Sequence, residues 1–273
     1  MSDASTSDRR WRVLPAYAYL PEAVLPAVAI SAAAGFSVLM LHPDSLVAEA
    51  IPSLLARRAM AALGTGLVGL LLVLSPLGRL TGPHLNPAVT LSFLRLGRIR
   101  PGDALLFILA QFAGAAAGLF AVDTLLLGRW LRHEAIHQLT TMPGPYGAAI
   151  AWAAEAAMAF AVMNVVLTAN RHPRVMRWTP VLTMSLVWVF ALIESPLSGA
   201  SLSPSRTTSA ALVAGRWAGW WVYYTAPVLG MLAAVELHRL VRRDRDRICG
   251  KLVHGEQCVF KCRCGEPAAD AGR

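Results

Sequence analysis

The sequence predicts an all-α membrane protein with six transmembrane helices and two re-entrant half-helices in an inverted repeat. Three observations predict it. First, the 273 residues are 56% hydrophobic and only 15% charged, whereas a soluble domain carries about 25% charged residues. Second, apolar stretches recur along the whole chain, most of them near the roughly 20 residues that cross a bilayer core. Third, one short plan occurs twice. Gly82-Pro83-His84-Leu85-Asn86-Pro87-Ala88-Val89-Thr90 and Gly199-Ala200-Ser201-Leu202-Ser203-Pro204-Ser205-Arg206-Thr207 each contain a glycine, three residues, a capping side chain, a proline and a small residue.

The elements follow in order. Residues 1–17 read as a cytoplasmic N-terminal segment: Met1–Arg12 is polar, and the apolar run after it is too long for a cleavable signal core. The spans are Ala23–Leu41, Met60–Leu77, Ala104–Leu127, Ala148–Ala169, Val181–Ile193 (extended by Trp178–Pro180 and the residues that follow) and Trp217–Val235. They form two groups of three. Residues 18–127 make the first repeat, 128–147 a connecting loop, 148–240 the second repeat and 241–273 a cytoplasmic Cys-rich tail. An odd number of spans per repeat gives the repeats opposite orientations. Within each repeat the short motif lies between the second and third spans. Leu85–Leu96 and Leu202–Val213 are too short to cross, and membrane-depth irregular backbone survives only when buried in protein or lining a watery cavity. Gly114 and Gly118, four apart, suit close helix packing.

The net charge of +9 suggests nucleic acid until its distribution is considered. Arg9, Arg10 and Arg12, then Arg95, Arg98 and Arg100, then Arg171, Arg174 and Arg177, then Arg239, Arg242, Arg243, Arg245 and Arg247 fall on one side of six alternating spans. The other side has Arg57, Arg58, Arg129, Arg132 and Arg216. The positive-inside rule places both termini in the cytoplasm, and no nucleic-acid partner is expected. Arg57-Arg58 runs against the rule locally.

The chemistry of the motifs is local. Asn86 can accept bonds from free N–H groups at a helix start, and Pro87 suits the first helical position because it has no N–H. Ser203 and Pro204 are expected to repeat that capping. Each half-helix then directs about half a positive charge at the midplane, and two such ends repel cations there. The Asn86 amide can also donate to a solute.

These residues resemble the aquaporin, or major intrinsic protein, family. The resemblance rests on both motifs, with Ser198 and Arg206 included, on Leu109-Ala110-Gln111-Phe112-Ala113-Gly114 and on Gly219-Trp220-Trp221-Val222-Tyr223-Tyr224-Thr225-Ala226-Pro227. It covers residues 18–240. It implies a homotetramer in the lipid bilayer whose protomers each conduct water or small neutral solutes passively. The pore midplane would fall on Asn86, Pro87, Ala88, Ser203, Pro204 and Ser205. Here the chain departs from the family, which usually repeats Asn-Pro-Ala. A slightly wider, less rigidly polar centre is expected.

The family's selectivity filter, counted without gaps from each motif, maps onto Gly66, Ala191, Ala200 and Arg206. Three small residues around one arginine imply a wide opening. That resembles plant and bacterial members passing metalloid acids, urea or similar uncharged polyols. It does not resemble the usual glycerol facilitators, which carry Asp where this chain has Thr207 and aromatics in the filter. A one-residue gap in the fifth span would replace Ala191 by Phe190 or Leu192 and narrow the opening. Glu22 and Glu155 correspond to family glutamates that bond re-entrant backbone, a role that buried loop backbone requires. Glu194 has no such precedent and is placed in the outer vestibule. His84 is expected to pack the loop.

All four cysteines lie in the tail. Cys249, His254, Cys258, Cys262 and Cys264 offer soft thiolates and an imidazole, which suit zinc or another thiophilic ion. In a reducing compartment disulfides are not expected. A plain reduced tail and a thiol sensor stay open as readings. Transport itself needs no cofactor. No nucleophile–base constellation or phosphate loop points to an enzyme. The sequence therefore favours a passive channel for small uncharged solutes in a bacterial inner membrane. A water-selective aquaporin and a metal-responsive membrane sensor with little conduction are the alternatives. A coupled transporter has no ion site beyond Glu22, Glu155 and Glu194.

Overall fold

The computed structural model describes residues 14–241 and Lys251. Among the described residues every regular element is helical. The principal helices are α1 (Leu20–Leu41), α2 (Leu54–Leu74), α3 (Pro87–Arg95), α4 (Pro101–Val122), α5 (Gly147–Ala169), α6 (Thr179–Ser198), α7 (Pro204–Ala214) and α8 (Trp220–Val241). Helices α3 and α7, of 9 and 11 residues, are the half-helices. At about 1.5 Å per residue they cannot cross a core about 30 Å thick.

Local chemistry explains the boundaries. Helix α2 starts six residues before the apolar stretch because the Ser53 side chain accepts from the Ala56 N–H at 3.3 Å. It ends at Ser75, whose hydroxyl caps a short helix, Pro76–Thr81. The third apolar run reaches Leu127 only through a π-turn at Asp123–Leu127. Helix α6 is longer than Val181–Ile193 at both ends and stops where Gly199 turns left-handed, at φ 82°.

The packing repeats across the two halves. Helix α1 packs on α2 and α4, and α5 packs on α6 and α8. Each half-helix also crosses to the other repeat: α3 lies against α8, and α7 against α4. That exchange makes the two repeats one body. Glycines allow the tightest approaches. A Cβ on Gly114 would run into the Ala23 carbonyl of α1, and one on Gly118 would sit 2.5 Å from the Ala27 carbonyl oxygen. In the second repeat a Cβ on Gly230 of α8 would meet the Ala156 carbonyl of α5. The equivalent helix pairs are thus closed by the same device.

Two apolar clusters flank the repeat junction. One joins α3, α4, α5 and α8 through Phe93, Phe107, Met163, Leu167 and Met231; the other joins α1, α4 and α7 through Ile30, Leu119 and Ala210. The outer surface is apolar as well, with Leu67, Leu71, Phe120, Leu125 and Ile193 exposed. In water such a surface would aggregate; in lipid it is required. Exposed Tyr17 and Trp178 lie at one end of the bundle, and Tyr146, Trp217, Trp220 and Trp221 at the other, as expected of interfacial aromatics.

Five of the described helices are long and apolar enough to span a bilayer. The expected sixth, α8, has 22 residues but misses that apolarity. Its first turns contain Tyr223, Tyr224 and Thr225, and its last contain Glu236, His238 and Arg239. Its polar end has partners: Glu236 pairs with Arg95 at 2.6 Å and with Arg239 at 3.1 Å. Its other face is buried against α5. Because protein covers one side of α8, only the other side, where Leu229, Leu237 and Leu240 are exposed, has to be apolar. On the opposite side Arg57, one of the pair that runs against the charge bias, donates to the Met40 carbonyl at 3.2 Å. That carbonyl lies in the last turn of α1, where the helix dipole favours a cation.

Candidate functional site

The two motifs converge at the junction of the repeats, and one carboxylate supports each. In the first repeat the Glu22 carboxylate of α1 accepts from the His84 N–H at 2.7 Å and the Leu85 N–H at 3.0 Å. Gln111 of α4 donates to it at 2.6 Å. In the second repeat Glu155 of α5 accepts from the Ser201 N–H at 2.6 Å, the Leu202 N–H at 2.8 Å and the Ser198 hydroxyl at 2.7 Å. Both glutamates are fully buried. A carboxylate has several acceptor positions, so one side chain can satisfy consecutive loop N–H groups that no helix reaches.

That support holds a strained backbone. Leu85 and Leu202, each just before the cap, have φ of 57° and 56°. A non-glycine residue there costs of order 1 kcal/mol and needs surrounding structure to hold it. The sharp turn directs each half-helix back toward the centre. Asn86 and Ser203 then take nearly the same backbone, φ −151° and ψ 126° against φ −146° and ψ 124°.

The caps differ. The Asn86 side-chain oxygen accepts from the Ala88 N–H at 2.9 Å, and its amide nitrogen donates to the Leu202 carbonyl at 2.7 Å. One side chain therefore caps its own helix and ties it to the opposite loop. Ser203 does not repeat this. Its side chain makes no cap bond; its hydroxyl pairs with the Ser205 hydroxyl at 3.0 Å. The expected second cap is corrected on this point. Serine is shorter than asparagine, and Ser205, standing where the first motif has Ala88, offers a nearer partner.

Arg206 sits on the first turn of α7. It donates to the Ala200 carbonyl at 3.1 Å and more distantly to that of Gly199, at 3.5 Å. Ala200 is itself left-handed, at φ 48°, which turns its carbonyl to the guanidinium. Arg206 and Ala200 are thus brought together. Gly66 lies in a crevice between α2 and α6, lined also by Leu63, Leu67, Leu70, Met184 and Trp188. Ala191 is half-buried on α6. Pro87, Ala88, Pro204 and Ser205 are buried in the first turns of the half-helices. His84 is buried, stacks on Phe93 with ring centroids 4.8 Å apart and pairs with the Thr90 hydroxyl at 3.1 Å.

Other residues complete the site without having been singled out for it. Gln111 bridges Glu22 and Thr90, donating to the latter at 3.0 Å. The Tyr223 hydroxyl donates to the Ser198 carbonyl at 2.6 Å. Thr207, four residues after Ser203 as Thr90 is after Asn86, pairs with Ser201 at 2.7 Å and with Thr141 at 2.8 Å. Thr141 ties the connecting loop to α7. For Gln111 and Tyr223 the available signal is a lone amide or hydroxyl within a membrane span. Cys249, His254, Cys258, Cys262 and Cys264 lie outside the described residues. Among the described residues no group of three His, Cys, Asp or Glu side chains could hold a metal ion.

Residues 15–238 match the family model for the major intrinsic proteins. The chain belongs to this family. This major intrinsic protein is 35% identical over 179 residues to aquaporin NIP1-3 of Oryza sativa subsp. japonica, covering 65% of this chain and 60% of the relative. It is 34% identical over 167 residues to the probable aquaporin TIP4-2 of the same plant, covering 60% and 63%. The matched stretch thus spans about 60% of the length of these relatives. The X-ray structure of the aquaglyceroporin from Plasmodium falciparum superposes with a TM-score of 0.67 at 17% identity, over 84% of this chain and 98% of that one. At that identity the likeness concerns the fold. The major intrinsic protein is therefore an aquaporin-fold, multi-pass membrane protein.

Proposed function

We propose that the chain is a passive channel for small uncharged solutes, wider than a water-only pore. The observation that carries this reading is the convergence of two half-helix N-termini at the Asn86–Leu202 bond, one turn from an arginine held by loop carbonyls. N-termini facing each other disfavour cations at the centre. An amide proton on Asn86 not used by Leu202 and the Ser203 hydroxyl supply hydrogen bonds to a neutral solute. Arg206 donates at the mouth. Gly66, Ala191 and Ala200 have small side chains, which supports an opening for metalloid acids, urea or glycerol as well as water. The aquaporins among the relatives and the aquaglyceroporin fold neighbour support the same class. We further infer a homotetramer with both termini in the cytoplasm of a bacterial inner membrane, and a Cys-rich tail that binds zinc or another thiophilic ion. None of these roles is enzymatic.

Stopped-flow light scattering on proteoliposomes tests the reading with water, glycerol, urea and boric acid. Flux of the larger solutes down their own gradients supports it. Water flux with every larger solute excluded refutes the wide filter. No flux at all refutes the channel, and flux that requires an ion gradient refutes passive transport.

A further inference from the structure

Glu194 has no role in the loop support just described, yet it is only 5% exposed. It lies on the inward stripe of α6 formed by Thr183, Val187, Ala191, Glu194 and Ser198, at spacings of three and four. Neither of its carboxylate oxygens has a hydrogen-bond partner among the described residues. Leaving an ionisable group so deep in an apolar protein costs several kcal/mol unless donors reach it.

The nearby donors are committed elsewhere. The single Ser198 hydroxyl proton goes to Glu155 at 2.7 Å, and the Ala200 N–H approaches Ser198 Oγ at 3.3 Å. The Tyr223 hydroxyl donates to the Ser198 carbonyl. Arg206 Nη1 donates to Ala200 and Gly199, which leaves the guanidinium further N–H groups. Glu155, Ser198 and Ala200 are the groups closest to the Glu194 carboxylate, and Tyr223 has Glu155, Glu194 and Arg206 around it. The fold therefore places the Glu194 carboxylate and Arg206 around the same Tyr223, while the nearest donors, the Ser198 hydroxyl and the Ala200 N–H, are directed at other acceptors.

We propose that Glu194 is a specificity-determining residue of the outer mouth, accepting hydrogen bonds from solutes that carry paired N–H or O–H groups. Arg206 donates to the acceptor atom of the same solute. A small amide such as urea matches both partners: its carbonyl faces the guanidinium, and its two outward N–H groups form a fork suited to a carboxylate. Water can accept from the guanidinium but offers the carboxylate no parallel pair of donors, so Glu194 raises amide permeability relative to water. This inference rests on the channel reading above.

The test uses the full chain in proteoliposomes and measures the ratio of urea to water permeability for wild type, Glu194→Gln and Glu194→Ala. The ratio falls by about tenfold in Glu194→Ala, the usual consequence of losing one hydrogen bond to a charged group. Glu194→Gln, which keeps one acceptor oxygen, falls between. If Glu194→Ala fails to incorporate, the nearly isosteric Glu194→Gln decides. A ratio unchanged in Glu194→Gln, with or without lower thermal stability, overturns the proposal and leaves Glu194 a structural residue. Those outcomes leave the channel reading intact. A wild type that conducts nothing, or water alone, overturns both.

Discussion

Replacing Glu155 removes the acceptor on which the second re-entrant loop depends. In Glu155→Ala the Ser201 and Leu202 N–H groups, now bonded at 2.6 and 2.8 Å, are left buried without a partner. Each such group costs about 1–3 kcal/mol, so the loss is about 2–6 kcal/mol. The Ser198 hydroxyl adds little, because it can turn to Glu194. Glu155→Gln keeps one oxygen and sets an NH2 against one N–H, so about half the penalty remains. The stability order is therefore wild type, Glu155→Gln, Glu155→Ala, as read by thermal unfolding in detergent. Solute flux falls in the same order, since the loop carries the carbonyl that holds Arg206. Glu22→Ala strips the His84 and Leu85 N–H groups in the same way and costs a similar amount. The double mutant is non-additive, because the Asn86 amide joins the two loops through Leu202. If Glu155→Ala melts with wild type and conducts equally, the carboxylate support argument is wrong.

Gly114→Val drives a side chain into the Ala23 carbonyl. Overpacking of this kind costs about 1–3 kcal/mol or more, and the yield of monodisperse protein on size exclusion falls sharply; normal yield refutes the close approach of α1 and α4. Ser205→Ala removes the hydroxyl that occupies Ser203. Ser203 is then free to cap α7, and thermal stability rises by about 1 kcal/mol; an unchanged or lower melting temperature contradicts the competition between the two serines. Ser203→Asn leaves folding intact and alters permeability or proton leak; no change in either removes Ser203 from the pore. Metal analysis of purified protein finds stoichiometric zinc or another thiophilic ion, which is lost when Cys258, Cys262 and Cys264 are replaced by serine; an intact chain without metal excludes the tail site.

Much of the architecture is legible in short-range chemistry. The half-helices begin at Pro87 and Pro204 because a proline preceded by a capping-type residue specifies a helix start on its own. Gly114 and Gly118 announce a close approach because only a missing Cβ permits one. Glu22 and Glu155 stand out as carboxylates within apolar runs. The sixth helix was harder to read, since α5 covers much of it and its composition follows protein contact more than lipid.

By itself, then, the sequence determined the two repeats, the reversal between them and the start of each half-helix. These properties depend on residues a few positions apart. Tertiary structure decided what the equivalent positions do. Ser203 stands where Asn86 stands, yet its hydroxyl pairs with Ser205 and leaves the α7 start without a side-chain cap. The Asn86 amide finds a carbonyl in the other repeat. Among the described residues Glu194 is left without a hydrogen bond because the Ser198 and Tyr223 hydroxyls and the Ala200 N–H are directed elsewhere. Hydrogen-bond capacity is finite, and how it is shared depends on which groups the fold brings together.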